Sequence, residues 1–194
     1  MARTALLVSE QRMKQWTGLD ENVRTEDIRV YIIQAQDIYV QDTLGTKFYN
    51  SIKSNIINNA LTSDEETLLK DYVGPMLMQY ALYLMLPHIK YKIVDKGILN
   101  GTSEETQATT LDELKYLRES TLNTAQFYNE RVIEYFRDNP GMFPDYETPG
   151  TDGMYPNKQT PYFSGLVTQV PKYGKTYYEE KCDGCDIYGP AVED

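Results

Sequence analysis

Histidine, cysteine and tryptophan are scarce in this chain of 194 residues, with one His, two Cys and one Trp. Each shortage removes a class of chemistry. A Ser-His-Asp or Cys-His catalyst would have to use His88, and nothing near it in the sequence supports that role. The residue three before it is Met85, so the Glu-x-x-His pairs of di-iron bundles are missing as well. Cys182 and Cys185 cannot make a disulfide framework, and as a C-x-x-C they lack the two further ligands of a zinc site. The pair sits in a Gly/Pro-containing stretch rather than at the start of a helix, which disfavours a thioredoxin-type role. Gly97-Ile98-Leu99-Asn100-Gly101 lacks the Lys-Ser/Thr ending of a phosphate loop. Acidic neighbours such as Glu65-Glu66 and Glu104-Glu105 read as helix-start and loop charges. The expectation is a protein that is not an enzyme and has no cofactor and no metal.

Positive charge is also in short supply: 19 Lys and Arg against 29 Asp and Glu, a formal net charge of −10. Gripping a nucleic-acid backbone takes clustered Lys and Arg, so adhesion to DNA is not expected. An acidic surface can still face DNA without holding it. Long apolar runs are missing too. The longest, Met76 to Leu86, is broken only by Gln79, whereas a bilayer span takes ~20 apolar residues. The N-terminal apolar run, Ala5 to Val8, is too short for a secretory core. Assembly in a cytoplasm is the expectation.

What the chain does hold is helical periodicity. The run Met76–Leu86 reads as a central helix that must be buried all round, punctuated by Gly74-Pro75 before it and Pro87 after it. Ser9 opens a short helix that ends near Gly18. Thr25 is expected to cap a helix whose Ile28, Tyr31, Ile32, Ala35, Ile38, Tyr39 and Asp42 follow one stripe flanked by Gln34, Gln36 and Gln41. Gly45 suits a left-handed cap at its end. A further helix covers about Lys47 to Asn59, and Ser63 with Glu66 has capping-box spacing for the next. Gly97 to Thr109 reads as a loop. Thr110 opens the longest segment, with Leu111, Leu114, Leu117, Thr121, Ala125, Tyr128, Val132 and Tyr135 three or four apart, stopped by Pro140-Gly141. Arg118 and Thr121 interrupt its seam, which favours bundle packing over a free coiled coil.

The composition changes at Pro140. From there on lie seven of the nine prolines, seven glycines and seven tyrosines, with no helical period. The reading is mainly α: an antiparallel helical bundle over residues 1–139 and an extended Pro/Gly/Tyr-rich arm over 140–194. Aromatics on such an arm act as anchors on a partner surface, and Tyr155, Tyr162, Phe163, Tyr173, Tyr177 and Tyr178 are the interface candidates.

The stretch LLVSEQRMKQWTGLDENVRTEDIRVYIIQAQDIYVQDTLGTKFYNSI resembles the head–tail connector (adaptor or neck-ring) proteins of tailed bacteriophages. Leu7, Val8, Ser9, Ile32, Ala35, Tyr39, Leu44 and Gly45 carry the likeness, and the long last helix with its arm resembles the ring proteins of crAss-like phages. The resemblance implies a non-catalytic virion protein at the head–tail interface. It implies a homo-oligomeric ring, commonly of twelve copies, beneath the portal, with other neck or tail proteins as partners and genomic DNA passing through the channel. No membrane partner is expected. Two other readings are a helical enzyme or ligand-binding bundle, disfavoured by the missing polar constellation, and a bacterial interaction protein whose tail folds on binding a partner.

Overall fold

The structure is a computed structural model, and it describes residues 5–94, 97–100, 110–148 and 153–159. By its contacts the chain divides into a unit through Tyr162 and a second from Phe163 onward. All described residues lie in the first, which is mainly helical. In order it contains α1 (Glu10–Thr17), α2 (Thr25–Ala35), a π-helical turn (Gln36–Val40), α3 (Gln41–Leu44), α4 (Thr46–Asn58) and α5 (Ser63–Thr67). A second π-helical turn (Leu68–Val73) leads into α6 (Gly74–Lys90). Then come β1 (Tyr91–Val94), β2 (Gly97–Asn100), α7 (Leu111–Asp138) and α8 (Pro144–Glu147).

α6 is the centre, as its sequence demands. Met76, Leu77, Met78 and Ala81 have no exposed surface, and α1, α2 and α7 pack against it. Burying each large side chain contributes about 1.5–3 kcal/mol. Burial is not complete all round, since Leu82, Tyr83 and Leu84 are half-buried. α6 begins at Gly74 with Pro75 in its first turn, as expected, but Pro87 does not end it. Gly74-Pro75 is passed without a break: the Gly74 N–H bonds to the Leu69 carbonyl, five residues back, in a π turn. Pro75 has no N–H for Asp71 and crowds its carbonyl, and the wider turn takes up the misfit. Only glycine fits at 74, because a Cβ would stand 2.7 Å from the Leu69 oxygen. Pro87 lies inside the last turn of α6, which continues to Lys90.

The first π turn corrects the α2 stripe. One extra residue per turn rotates everything after Ala35, so Gln36 is fully buried while Ile38 is 54% exposed. The Gln36 carboxamide is satisfied by the lead-in segment: Oε1 accepts from the Leu7 N–H at 2.9 Å and Nε2 donates to the Ala5 carbonyl at 3.2 Å. Helix starts shift by a residue. Thr25 is the first helical residue, behind an N-cap Arg24 whose side chain makes no capping bond. The capping box is Thr62 with Glu65 rather than Ser63 with Glu66, which lets Glu65 also accept from Asn55 Nδ2 at 3.0 Å. Gly45 does take positive φ (+75°), with ψ of 156° rather than the left-handed helical value. Part of the expected loop is a hairpin: β1 and β2 pair antiparallel from Tyr91↔Asn100 to Val94↔Gly97. α7 begins at the Thr110–Glu113 capping box, but its Leu111 and Leu117 are exposed while Asn129, Ile133 and Phe136 join the buried face.

Pro140-Gly141 ends α7, yet the chain does not leave the core there, contrary to the boundary read at residue 140. Phe143 and Tyr146 are buried members of the core. The Tyr146 ring stacks on Phe136 at 3.8 Å, and Phe48 meets Phe136, Phe143 and Tyr146 at 5.4–6.2 Å. Lys47 fixes α8 from outside through Asp145 at 3.0 Å and the Thr148 carbonyl at 3.0 Å.

Candidate interaction surface

Two surfaces stand out. The first follows the flank of α7. Residues 128, 131 and 135 of a helix fall on one side, three and four apart, and here they are Tyr128, Arg131 and Tyr135. Trp16, from the end of α1, sets its ring edge-on to Tyr128 at 5.6 Å and remains 42% exposed. Phe127 meets Tyr128 at 5.5 Å and is 55% exposed. The Arg131 guanidinium lies over Tyr128 at 5.8 Å and over Tyr72 at 5.6 Å, a cation–π arrangement. Tyr72, from the second π turn, stacks on Tyr135 at 4.1 Å. The Tyr135 hydroxyl donates to Met142 Sδ at 3.6 Å.

At the lower end of this belt an open hollow of about 290 Å³ is lined by Tyr72, Arg131, Glu134, Tyr135, Asp138 and Asn139. Burial chiefly, then the neighbouring Tyr72, Asp64 and Asp71, push the Tyr135 hydroxyl above the usual tyrosine range. Trp, Tyr and Arg are the residues enriched where protein interfaces hold most of their binding energy. A second Arg–Tyr contact lies elsewhere on α7, where Arg118 sits 4.6 Å over Tyr83. Its Nε is buried and has no hydrogen-bond partner among the described residues.

The second surface is a clasp, residues 153–159, laid across the α3–α4 junction. Thr46 N–H donates to the Met154 carbonyl and Met154 N–H to Thr46 Oγ1, both at 2.9 Å. Asn157 bonds Asp42 twice, N–H to carbonyl at 2.9 Å and Nδ2 to Oδ2 at 3.0 Å. Two glycines permit the approach. A Cβ on Gly45 would meet Pro156 at 2.7 Å, and one on Gly153 would meet Thr46 at 2.6 Å.

The match to known families runs over residues 40–153, more than half of the chain. The protein belongs to DUF6712, a family of unknown function. The matched span contains α4 to α8, the hollow and the seat of the clasp. No curated protein and no solved structure matches the chain.

Of the six interface candidates, the structure describes Tyr155, which is in the clasp and 65% exposed. Tyr162, Phe163, Tyr173, Tyr177 and Tyr178 lie outside the described residues, as do Cys182 and Cys185. His88 is exposed near the end of α6 and stacks on Tyr31 at 5.4 Å. Among the described residues no three His, Cys, Asp or Glu side chains converge as a metal site, and no helix is long and apolar enough to cross a membrane. The α7 belt was missing from the sequence reading. Tyr128, Arg131 and Tyr135 are a visible signal of it, but Trp16 and Tyr72 arrive from distant parts of the chain.

Proposed function

We propose that this DUF6712 protein is a virion structural protein of a tailed bacteriophage, forming a homo-oligomeric ring in the neck between portal and tail. In this reading the helices are an antiparallel bundle, and the C-terminal segment is an extended arm that engages neighbouring subunits. The ring has twelve copies, contacts the portal and other neck or tail proteins, and passes genomic DNA through an acidic channel without gripping it. Its role is non-catalytic. The observation that carries the reading is the Trp16–Tyr128–Arg131–Tyr72–Tyr135 belt, whose tyrosines are half-buried against the core while Trp16 and Arg131 stay exposed. It is a contiguous surface of interface-type residues on a helical unit, and it adds to the resemblance of residues 6–52 to connector proteins.

Cryo-EM of phage particles that contain this chain tests it, together with the solution mass of the purified protein by light scattering. A closed ring of this chain at the neck is the expected result. A monomer absent from the particle, whose tail orders only on a host protein, would establish instead the alternative of a bacterial interaction protein.

A further inference from the structure

We infer that the hollow at Tyr72 and Tyr135 receives the lysine-bearing segment Pro171–Tyr178 of a second copy of this chain. This rests on the ring reading and names the surface that takes the arm. The hollow offers aromatic surface with an acidic rim. Glu134 and Asp138 line it, and Asp64 and Asp71 stand near enough to act on the Tyr135 hydroxyl. All four carboxylates are exposed, and none has an ion-pair partner among the described residues. The one cation that lines the hollow among the described residues, Arg131, is laid over the rings of Tyr72 and Tyr128.

The complementary sequence is unusual in so acidic a chain. From Gly153 through Tyr178 there is no Asp or Glu, while Lys158, Lys172 and Lys175 are present. Acidic residues return at once with Glu179 and Glu180. Within that stretch Pro171-Lys172-Tyr173-Gly174-Lys175-Thr176-Tyr177-Tyr178 combines two cations with three phenol rings. An ammonium on the carboxylate rim with tyrosine against tyrosine is the pairing such a hollow selects. The clasp fixes Gln159 on its own subunit, and at ~3.3 Å per residue the chain from there to Lys172 reaches about 40 Å. That is about the length of α7, so a neighbouring copy is within range.

The test uses the full chain in equal mixtures of isotope-labelled and unlabelled protein. Zero-length carboxylate–amine cross-linking and mass spectrometry identify the partners, and light scattering gives the association. The expected products are hybrid cross-links from Lys172 or Lys175 of one isotope to Glu134 or Asp138 of the other. Reversing the lysines (K172E with K175E) should weaken self-association about tenfold or more. Reversing the rim (E134K with D138K) should do the same, and combining both sets should restore it, each variant keeping the parent melting temperature. Self-association untouched by either reversal would overturn this inference and leave the ring standing. Cross-links confined to one isotope would likewise overturn it. A chain that stays monomeric at all concentrations and in the particle would overturn both.

Discussion

α7 carries two aromatic clusters of similar residues, joined through Tyr135, which meets Phe136 and Phe143 at 6.3 Å, and they differ in what covers them. In the inner one Phe136 is 5% exposed, enclosed by Phe48, Phe143 and Tyr146. In the outer one Phe127 is 55% exposed, beside Tyr128 and the Arg131–Tyr72–Tyr135 stack. The inner cluster is closed by α8, a four-residue helix held by Lys47, whereas the outer one is covered only in part, by Trp16 of α1 and Tyr72 of the second π turn, and Phe127 stays open. The same kind of side chain is therefore enclosed at Phe136 and left open to solvent at Phe127.

The largest effect that would sharpen this contrast is Phe136→Ala. It removes a ring packed on Phe48, Tyr135, Phe143 and Tyr146 and leaves a cavity among residues pinned from outside by the Lys47–Asp145 pair. A loss of about 3–5 kcal/mol is expected, read as a large fall in the denaturant midpoint at unchanged slope. A loss below 1 kcal/mol would mean that the inner cluster is as loosely held as the outer one.

Next in size is Gly45→Ala. Its φ of +75° and ψ of 156° fall in a region essentially restricted to glycine, at a cost of about 1–3 kcal/mol for other residues, and the new Cβ would strike Pro156. The clasp should detach, raising hydrogen exchange at Met154 and Asn157 while the inner cluster stays protected. Unchanged exchange at those amides would show that the clasp does not depend on close approach at 45.

A third effect appears only in base. Burial pushes the hydroxyl of Tyr146 up to about 12, and burial with the nearby Tyr39 and Asp42 pushes that of Tyr80 up to about 12. Unfolded tyrosine ionises near 10. Between these values the unfolded chain releases protons that the folded one keeps. Stability is therefore intact below about pH 10 and falls as pH rises toward 12. Chemical denaturation along this pH series should show the fall, and Tyr146→Phe should flatten it.

The mainly helical character was legible because it rests on local period, capping and punctuation. What stayed hidden has particular causes. A strict 3.6-residue template runs straight through Gln36–Val40, so it puts Ile38 inside and Gln36 outside, and the π turn reverses both. Gly74-Pro75 looks like a break because proline is read locally, whereas Leu69 and the π turn before it carry the chain through. Phe143 and Tyr146 have too little helix around them to show a period, and their burial is settled by Phe48, far away in sequence. The hollow follows the same rule, since Tyr72 and Tyr135 meet only once the second π turn packs on α7.

The smallest expected change in the isolated chain is the most telling for the outer surface. Phe127 lies on the exposed side of α7 and touches Tyr128 edge-on, so truncating it to alanine opens no cavity. Surface substitutions of this kind shift stability by no more than about 0.5 kcal/mol, and alanine is a slightly better helix former than phenylalanine, which offsets part of the lost contact. The melting temperature of Phe127→Ala should therefore stay within about 2 °C of the parent. Loss of a hot-spot aromatic costs about 2 kcal/mol or more in binding, so under the proposed ring reading the same variant should self-associate at least tenfold more weakly by light scattering. Paired with Trp16→Ala, which thins the far end of the belt, the two losses should exceed either alone. A clear fall in melting temperature with unchanged association would instead assign Phe127 to the subunit's own stability and dissolve the contrast between the two clusters of α7.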